Sequence, residues 1–302
     1  MAMATRSSTR SRRQGNPAAG SRLFPYALSA PTFVVIVGIV LVPLLTVFYL
    51  SLTDARFVTD GQFIGLENFA HLTGTDPYFW GAVRNTVVWA GGIVTAEFVL
   101  GLGIALLLNQ RVRFRGVFRG VVLLPWVMPT VTASLVWMTL YADDGVFNDV
   151  LGALGLPAVA WLSDTRVALG AVMLVVVWKT LPFVVVALLA GLQAIPEELY
   201  EAAQIDGAGR FQQFRSITLP ILWPVASLVI VLNLIWRVGD FDAIFLMTGG
   251  GPANSTQLIA TYAYQQTTSG LEAARGAAVA VFAVLLLLVL VPYFVKRVVK
   301  ED

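Results

Sequence analysis

Between Pro31 and Leu52 the chain runs for 22 residues without a charged side chain. At about 1.5 Å per helical residue, that is long enough to cross a hydrocarbon core about 30 Å thick. Inside a bilayer the backbone N–H and C=O groups find no water, and only helices or closed barrels satisfy them. Apolar windows of the same kind recur near residues 24–52, 85–109, 119–141, 167–193, 221–246 and 273–295, which predicts six transmembrane helices. The composition agrees, with 57% hydrophobic and 13% charged residues against about 25% charged in soluble domains. The expected fold class is an all-α membrane protein. Pro43, Pro125, Pro129, Pro182 and Pro224 lie in or near these spans, where neighbouring helices can satisfy the freed carbonyls. Gly91, Gly92, Gly101 and Gly103 suit the second span to close helix contacts.

Basic residues set the orientation. Arg6, Arg10, Arg12, Arg13, Arg22, Arg111, Arg113, Arg115, Arg119, Arg210, Arg215, Lys296, Arg297 and Lys300 share one side of a six-span chain. Only Arg56, Arg84, Arg166 and Arg275 fall on the other. The first side is therefore read as cytoplasmic, together with both termini. Residues 1–22 read as a disordered basic tail able to touch anionic lipid, and 23–302 as the membrane domain. Arg12-Arg13 after a serine faintly resembles an export signal. The apolar run that follows exceeds a signal core of about 7–15 residues, and no small-x-small cleavage site follows it closely.

Several chemistries are excluded. The chain has no cysteine and one histidine, His71, so disulfides, thiolate zinc sites, multi-histidine metal sites and Cys/His or Ser/His/Asp nucleophiles all drop out. It has no G-x-x-x-x-G-K-[ST] phosphate-binding loop. Asp143-Asp144 reads as a solvated turn rather than a carboxylate pair. The net charge of +2 says little about partners, and no nucleic-acid partner is expected.

The loop from about 194 to 220 is the most specific segment. Pro196 can open a helix, Glu197 and Glu198 suit its positive end, and Leu199, Ala202 and Ala203 form one smooth face. Asp206-Gly207 is a turn signal that ends it. Phe211, Phe214 and Ile217 mark a second short helix, and Leu219-Pro220 starts the fifth span. By physics alone, two short helices joined by a glycine either dock in a partner's groove or lie on the bilayer surface.

Glu201-Ala202-Ala203-x₃-Gly207-x₉-Ile217-x-Leu219-Pro220 resembles, at every defined position, the signature EAA loop of permease subunits in bacterial binding-protein-dependent ABC importers. Thr248-Gly249-Gly250-Gly251-Pro252, Asp206-Gly207-Ala208 and Leu124-Pro125 are similar to segments of the carbohydrate-uptake branch, which includes maltose, trehalose and glycerol-phosphate permeases. The resemblance implies a type I importer fold in the bacterial cytoplasmic membrane. It also implies a second homologous permease, two cytoplasmic ATPases and an extracytoplasmic sugar-binding protein. ATP and Mg would be held by the ATPases, so this chain would carry no cofactor and no catalytic residue. Glu201 would contact the ATPase, Ala202 and Ala203 would allow close approach, and Gly207 would turn the chain sharply. ATP-driven closure would then swing the bundle between inward- and outward-facing states.

Polar residues inside spans are costly, about 2.5–3.5 kcal/mol for a charge at mid-bilayer, and usually face the bundle interior. Asn233, Trp236, Arg237, Asp240 and Phe241 are candidates for the substrate path, since sugars take hydrogen bonds plus aromatic faces. Arg237 and Asp240 are also spaced to pair at i, i+3, and Glu97 in the second span is expected to pair with Lys179 in the fourth. Trp137 and Tyr141 read as interfacial anchors. The outer loops 53–84 and 247–272 are placed to meet a binding protein or to act as solvated connectors. A neutral mono- or disaccharide is the expected cargo, with glycerol phosphate as the alternative. An ion-coupled secondary transporter is the rival of another class, although Glu97 is the only acid deep in a span and no inverted repeat is visible.

Overall fold

Prolines account for most places where the helices depart from ideal geometry. The computed structural model describes residues 24–57, 61–110 and 115–299, so the basic tail assigned to residues 1–22 and the arginines at 111 and 113 lie outside the described residues. The chain divides into two units, Met1–Thr46 and Val47–Asp302. In the first, α1 (Phe24–Ile36) passes through a π-helical turn (Val37–Leu41) into α2 (Val42–Leu50), and the Val42 N–H reaches back five residues to the Val37 carbonyl. The next residue is Pro43, which has no N–H and whose ring crowds the carbonyl four residues before it. Widening the preceding turn to i→i−5 relieves that crowding.

The second unit begins beyond Thr46 and continues through α3 (Glu67–Gly74), α4 (Phe79–Asn109), α5 (Arg115–Val127), α6 (Thr130–Leu140), α7 (Val146–Ala153) and α8 (Ala168–Gln193). It is completed by α9 (Glu197–Ile205), α10 (Arg210–Gln213), α11 (Leu219–Val238), α12 (Asp242–Met247), α13 (Ile259–Thr268) and α14 (Ala273–Val299). Among the described residues the only β pairing is a single bridge between Thr53 and Phe63.

Among the described residues four helices are long and apolar enough to cross a membrane: Leu28–Leu50, Phe79–Asn109, Ala168–Gln193 and Arg210–Val238. The expected third span is broken, with Gly120–Val127 and Thr130–Leu140 meeting at 100°. Pro129 caps the second half in an extended conformation, and a residue before proline is pushed out of the helical region, which stops α5 at Val127. Counted as one span, the pair makes a fifth; the apolar part of α14, Ala273–Val289, is shorter. The expected fifth span also changes at both ends. It is continuous with α10 through a second π-helical turn, Phe214–Thr218, which like the first stands one residue before a proline, here Pro220, with the Leu219 N–H bonded to the Phe214 carbonyl. The second short helix expected from Phe211, Phe214 and Ile217 is therefore the start of this rod and not a separate element. At its other end it stops at Val238, and the residues to 247 form the break at Gly239–Phe241 and the short α12.

The core lies where α4, α8 and α11 pack together. Trp89 and Ile93 of α4 meet Val172 and Val175 of α8 and Ile244 of α12. Further along the same helices, Ala105, Leu108, Leu188, Leu192, Leu222 and Ala226 close a second apolar cluster. A β-carbon at Gly101 would stand 2.9 Å from the Val184 Cγ1, so Gly101→Leu should force α4 and α8 apart. The expected cost is about 1–3 kcal/mol, read as a lower melting temperature of the purified chain.

At the end of the bundle away from the 194–220 loop, polar side chains tie the long connections down. The Asn85 side-chain amide donates to the carbonyls of Asn254, Ser255 and Gln257 at 3.0–3.4 Å, and the Ile259 N–H donates to Thr86. The Tyr262 hydroxyl donates to Asp76 at 2.6 Å. Burial and that neighbouring carboxylate raise the Tyr262 phenol above its ordinary range. Tyr141 is no interfacial anchor. It is buried, its hydroxyl donates to the Ala171 carbonyl, and it stacks with Phe147 and Trp161 beside Trp137.

Candidate functional site

The 194–220 loop folds into a rigid bracket. Its first arm, α9, begins after Pro196 with Glu197 and Glu198 in the first turn, where their charge suits the helix dipole. The arm ends in paired hydrogen bonds, Ala208 N–H to the Ala203 carbonyl at 2.8 Å and Gly207 N–H to the Gln204 carbonyl at 3.0 Å. This is the six-to-one and five-to-two closure of a helix end that needs a left-handed residue, and Gly207 supplies it at φ +79°. The second arm starts at Gly209, and the Gln213 side-chain amide donates to the Ala208 carbonyl across the corner.

The bracket is fastened to the bundle. The Tyr200 hydroxyl lies 2.9 Å from the Thr218 hydroxyl, and Tyr200 and Ile217 pack on the Leu192–Leu222 cluster. Of the residues read from the sequence, Glu201, Ala202, Gly207 and Pro220 are exposed. Ala203, Ile217 and Leu219 are half-buried, with Ile217 facing the bundle. The bracket also exposes two large apolar side chains, Ile205 at 87% and Phe211 at 76%. Phe214, read with Phe211 as marking the second short helix, turns inward to half-burial. From Arg210 to Val238 the second arm and α11 form one helical rod of 29 residues, about 43 Å long.

At the far end of that rod is a cavity of about 390 Å³. Trp236, Arg237, Asp240 and Phe241 line it, with Lys179 and Thr180 from α8 and Asp242 from α12. The rod's end at Val238 and the turn at Gly239 bring Arg237 and Asp240 together, and Arg237 NH1 donates to Asp240 Oδ2 at 2.9 Å. Trp89 on α4 donates its indole N–H to the same oxygen, also at 2.9 Å. Trp236 packs against Phe183 at 5.3 Å, and Phe241 stacks on Phe245 at 4.8 Å. Asn233 is a turn deeper. It is buried, its amide donates to the Val229 carbonyl, and it does not line the cavity.

The expected Glu97–Lys179 pair does not form. Glu97 accepts from the hydroxyl of Thr180, the next residue along. Successive helical residues point about 100° apart. Thr180 therefore turns toward α4, and Lys179 is left to the cavity. Trp89, Thr180 and Asn85 escaped sequence reasoning, because their partners are distant in the chain and no local pattern marks them. Asp143 and Asp144 are exposed, as a solvated turn should be. Among the described residues no group of three or more acidic, histidine or cysteine side chains is placed to hold a metal.

Comparison with known proteins assigns this architecture. Residues 97–301 match the model of the binding-protein-dependent transport system inner membrane component family. The trehalose/maltose transport system permease protein MalF of Thermococcus litoralis is 38% identical over 265 residues, covering 87% of this chain and 89% of that protein. Among solved structures, a bacterial ABC transporter involved in the import of the acidic polysaccharide alginate superposes with a TM-score of 0.81 at 25% identity. That match covers 91% of this chain and 95% of the other. A bacterial alginate ABC transporter in complex with alginate pentasaccharide-bound periplasmic protein gives 0.79 at 25% identity, covering 89% of this chain and 92% of the other. The fold is that of a type I ABC importer permease. With a family match over two thirds of its length and helices built to cross a bilayer, this chain belongs to the binding-protein-dependent transport system inner membrane components, as an integral membrane permease.

Proposed function

We propose that the chain is one of two permease subunits of an ATP-driven sugar importer, with six spans, both termini in the cytoplasm, and the inner membrane as its location. Two ATPase subunits bind ATP and Mg and carry out hydrolysis, and this subunit transmits their movement. The observation that carries the proposal is the exposed bracket at one end of a single rod whose other end forms the wall of a polar, aromatic cavity. Glu201, Ala202 and Ala203 present the docking face, and Ile205 and Phe211 add exposed apolar area that a partner's cleft would cover. A rigid rod turns closure of the ATPases into displacement of Trp236 and Arg237 at the cavity. Ile217, Leu219 and Pro220 join the bracket to the rod.

The cargo is a mono- or disaccharide. Trp236 and Phe241 offer the apolar faces of aromatic rings, and Asp240, Asp242 and Lys179 offer hydrogen-bonding groups. The similarity to a trehalose/maltose permease supports those sugars as first candidates. The alginate transporter's complex with a periplasmic protein supports an extracytoplasmic sugar-binding protein as the delivering partner.

The test is co-purification. Tagged chain should bring down a stoichiometric ATPase, and Glu201→Arg should reduce its recovery at least about tenfold, the loss of about 1.4 kcal/mol. Vesicles holding the assembled complex should take up trehalose or maltose only with internal ATP. Uptake driven by an ion gradient alone would sink the proposal.

A further inference from the structure

Three charged side chains lie on neighbouring elements where α4 and α11 pack, and they are unequally satisfied. Glu97 is 1% exposed and Arg237 4%. Glu97 Oε1 accepts from Thr180, but Oε2 has no hydrogen-bond partner. Arg237 gives NH1 to Asp240, and its Nε has no partner. The two lie close enough for their charges to act on each other, and their helices are in contact. A buried donor and a buried acceptor of opposite charge, each left with an unused atom, are costly to keep apart. An arrangement in which they meet would satisfy both atoms.

Asp240 differs from Glu97 in its setting. It follows the break at Gly239, its side chain is 27% exposed, and it lines the cavity. A carboxylate so placed is a ready acceptor for a ligand hydroxyl, whereas Glu97 is sealed behind the wall. We infer that Arg237 exchanges partners: it holds Asp240 while the cavity is empty and turns its Nε to Glu97 Oε2 when a sugar hydroxyl engages Asp240. Glu97 is then a positioning residue that never touches the sugar. The exchange draws the end of α11 toward α4. Because α11 is one rod with the bracket arm, occupancy of the cavity is felt at the ATPase end. A ligand shifts such an equilibrium only through contacts that differ between the two states, and Asp240 provides that difference. The inference rests on the reading of the cavity as a sugar path.

Sugar-free ATP hydrolysis by the assembled transporter in nanodiscs tests it. Asp240→Asn weakens the hold on Arg237 and imitates the occupied state, so the rate should rise at least about fivefold over wild type. Glu97→Gln removes the alternative partner, so the double variant Glu97→Gln/Asp240→Asn should return to the wild-type rate or below. Glu97→Gln alone should abolish the rise in hydrolysis on adding trehalose, and it carries the test by itself if Asp240→Asn fails to assemble. A cluster that only supports the fold would make Asp240→Asn and Glu97→Gln change the rate the same way, and that result overturns the exchange. So does a rise that survives in the double variant. A wild-type preparation that recruits no ATPase overturns the transport reading as well, and so marks a different failure.

Discussion

Replacing Gly207 with valine should cut ATP-driven uptake by about 30-fold while leaving the membrane bundle folded. The left-handed conformation costs a non-glycine residue about 1–2 kcal/mol, and a β-branched side chain stands at the upper end. Relaxing it gives up the two bonds that close α9, those from Ala208 to Ala203 and from Gly207 to Gln204, at about 1 kcal/mol each. The variant takes the cheaper of these two routes, about 2 kcal/mol, which lowers the population of the docking geometry by about 30-fold. The cost is conformational, because a side chain here meets open space in the chain itself. Asparagine adopts the left-handed conformation more readily than other residues, so Gly207→Asn should retain most uptake. The paired measurement is ATP-dependent sugar uptake by both variants, with the melting temperature of the purified chain as the control for folding. Uptake by Gly207→Val at the wild-type rate, or an asparagine variant as impaired as the valine one, would refute the argument.

That bracket was the most legible part of the chain, because every signal defining it is local. Pro196 opens α9, two glutamates follow it, and Asp206-Gly207 closes it, all within a dozen residues. The second and fourth spans were legible for a similar reason, since long apolar runs bounded by polar residues leave little choice of register. The third and fifth spans were not. Pro129 was visible, yet both halves of the bent segment are apolar, and a hydropathy window averages across a 100° bend without registering it. The same averaging carried the fifth span past Gly239 into α12, because Asp242–Met247 is itself mostly apolar.

The cavity was half legible. The i, i+3 spacing anticipated the pair of Arg237 and Asp240, which survives although the helix ends between them. Asn233 was grouped with them by helical spacing, but it turns away to bond its own helix. The partner of Glu97 depended on which way α8 is rotated. A step of one residue, from Lys179 to Thr180, decides whether α4 meets a charge or a hydroxyl, and no pattern within α8 alone encodes that phase. Asn85 shows the limit most plainly, since the carbonyls it holds lie 169–172 residues further along.

Arg237→Leu should be the most damaging single substitution in the membrane domain. The guanidinium is nearly sealed from solvent and is the only cation bonded to Asp240 among the described residues. Removing it leaves Asp240 without its counter-charge at the cavity wall and takes away an opposite charge that acts on the buried Glu97. Breaking a buried pair by deleting one partner costs about 3–5 kcal/mol, a large fraction of the 5–15 kcal/mol that holds an ordinary domain folded. The expected result is a strong loss of properly folded chain in membranes, measured as the monodisperse fraction after detergent extraction, and a sharply lowered melting temperature for what remains. Replacing a whole buried charge cluster with neutral groups, by contrast, is often close to neutral for stability. The triple variant Glu97→Gln/Arg237→Leu/Asp240→Asn should therefore recover most of the folded yield. It should not recover coupling between cavity and bracket, because the exchange of partners needs the charges themselves. Recovery of fold without recovery of sugar-stimulated hydrolysis separates the two roles of the cluster. A single Arg237→Leu variant as stable as wild type would show that the carboxylates are not held by this guanidinium.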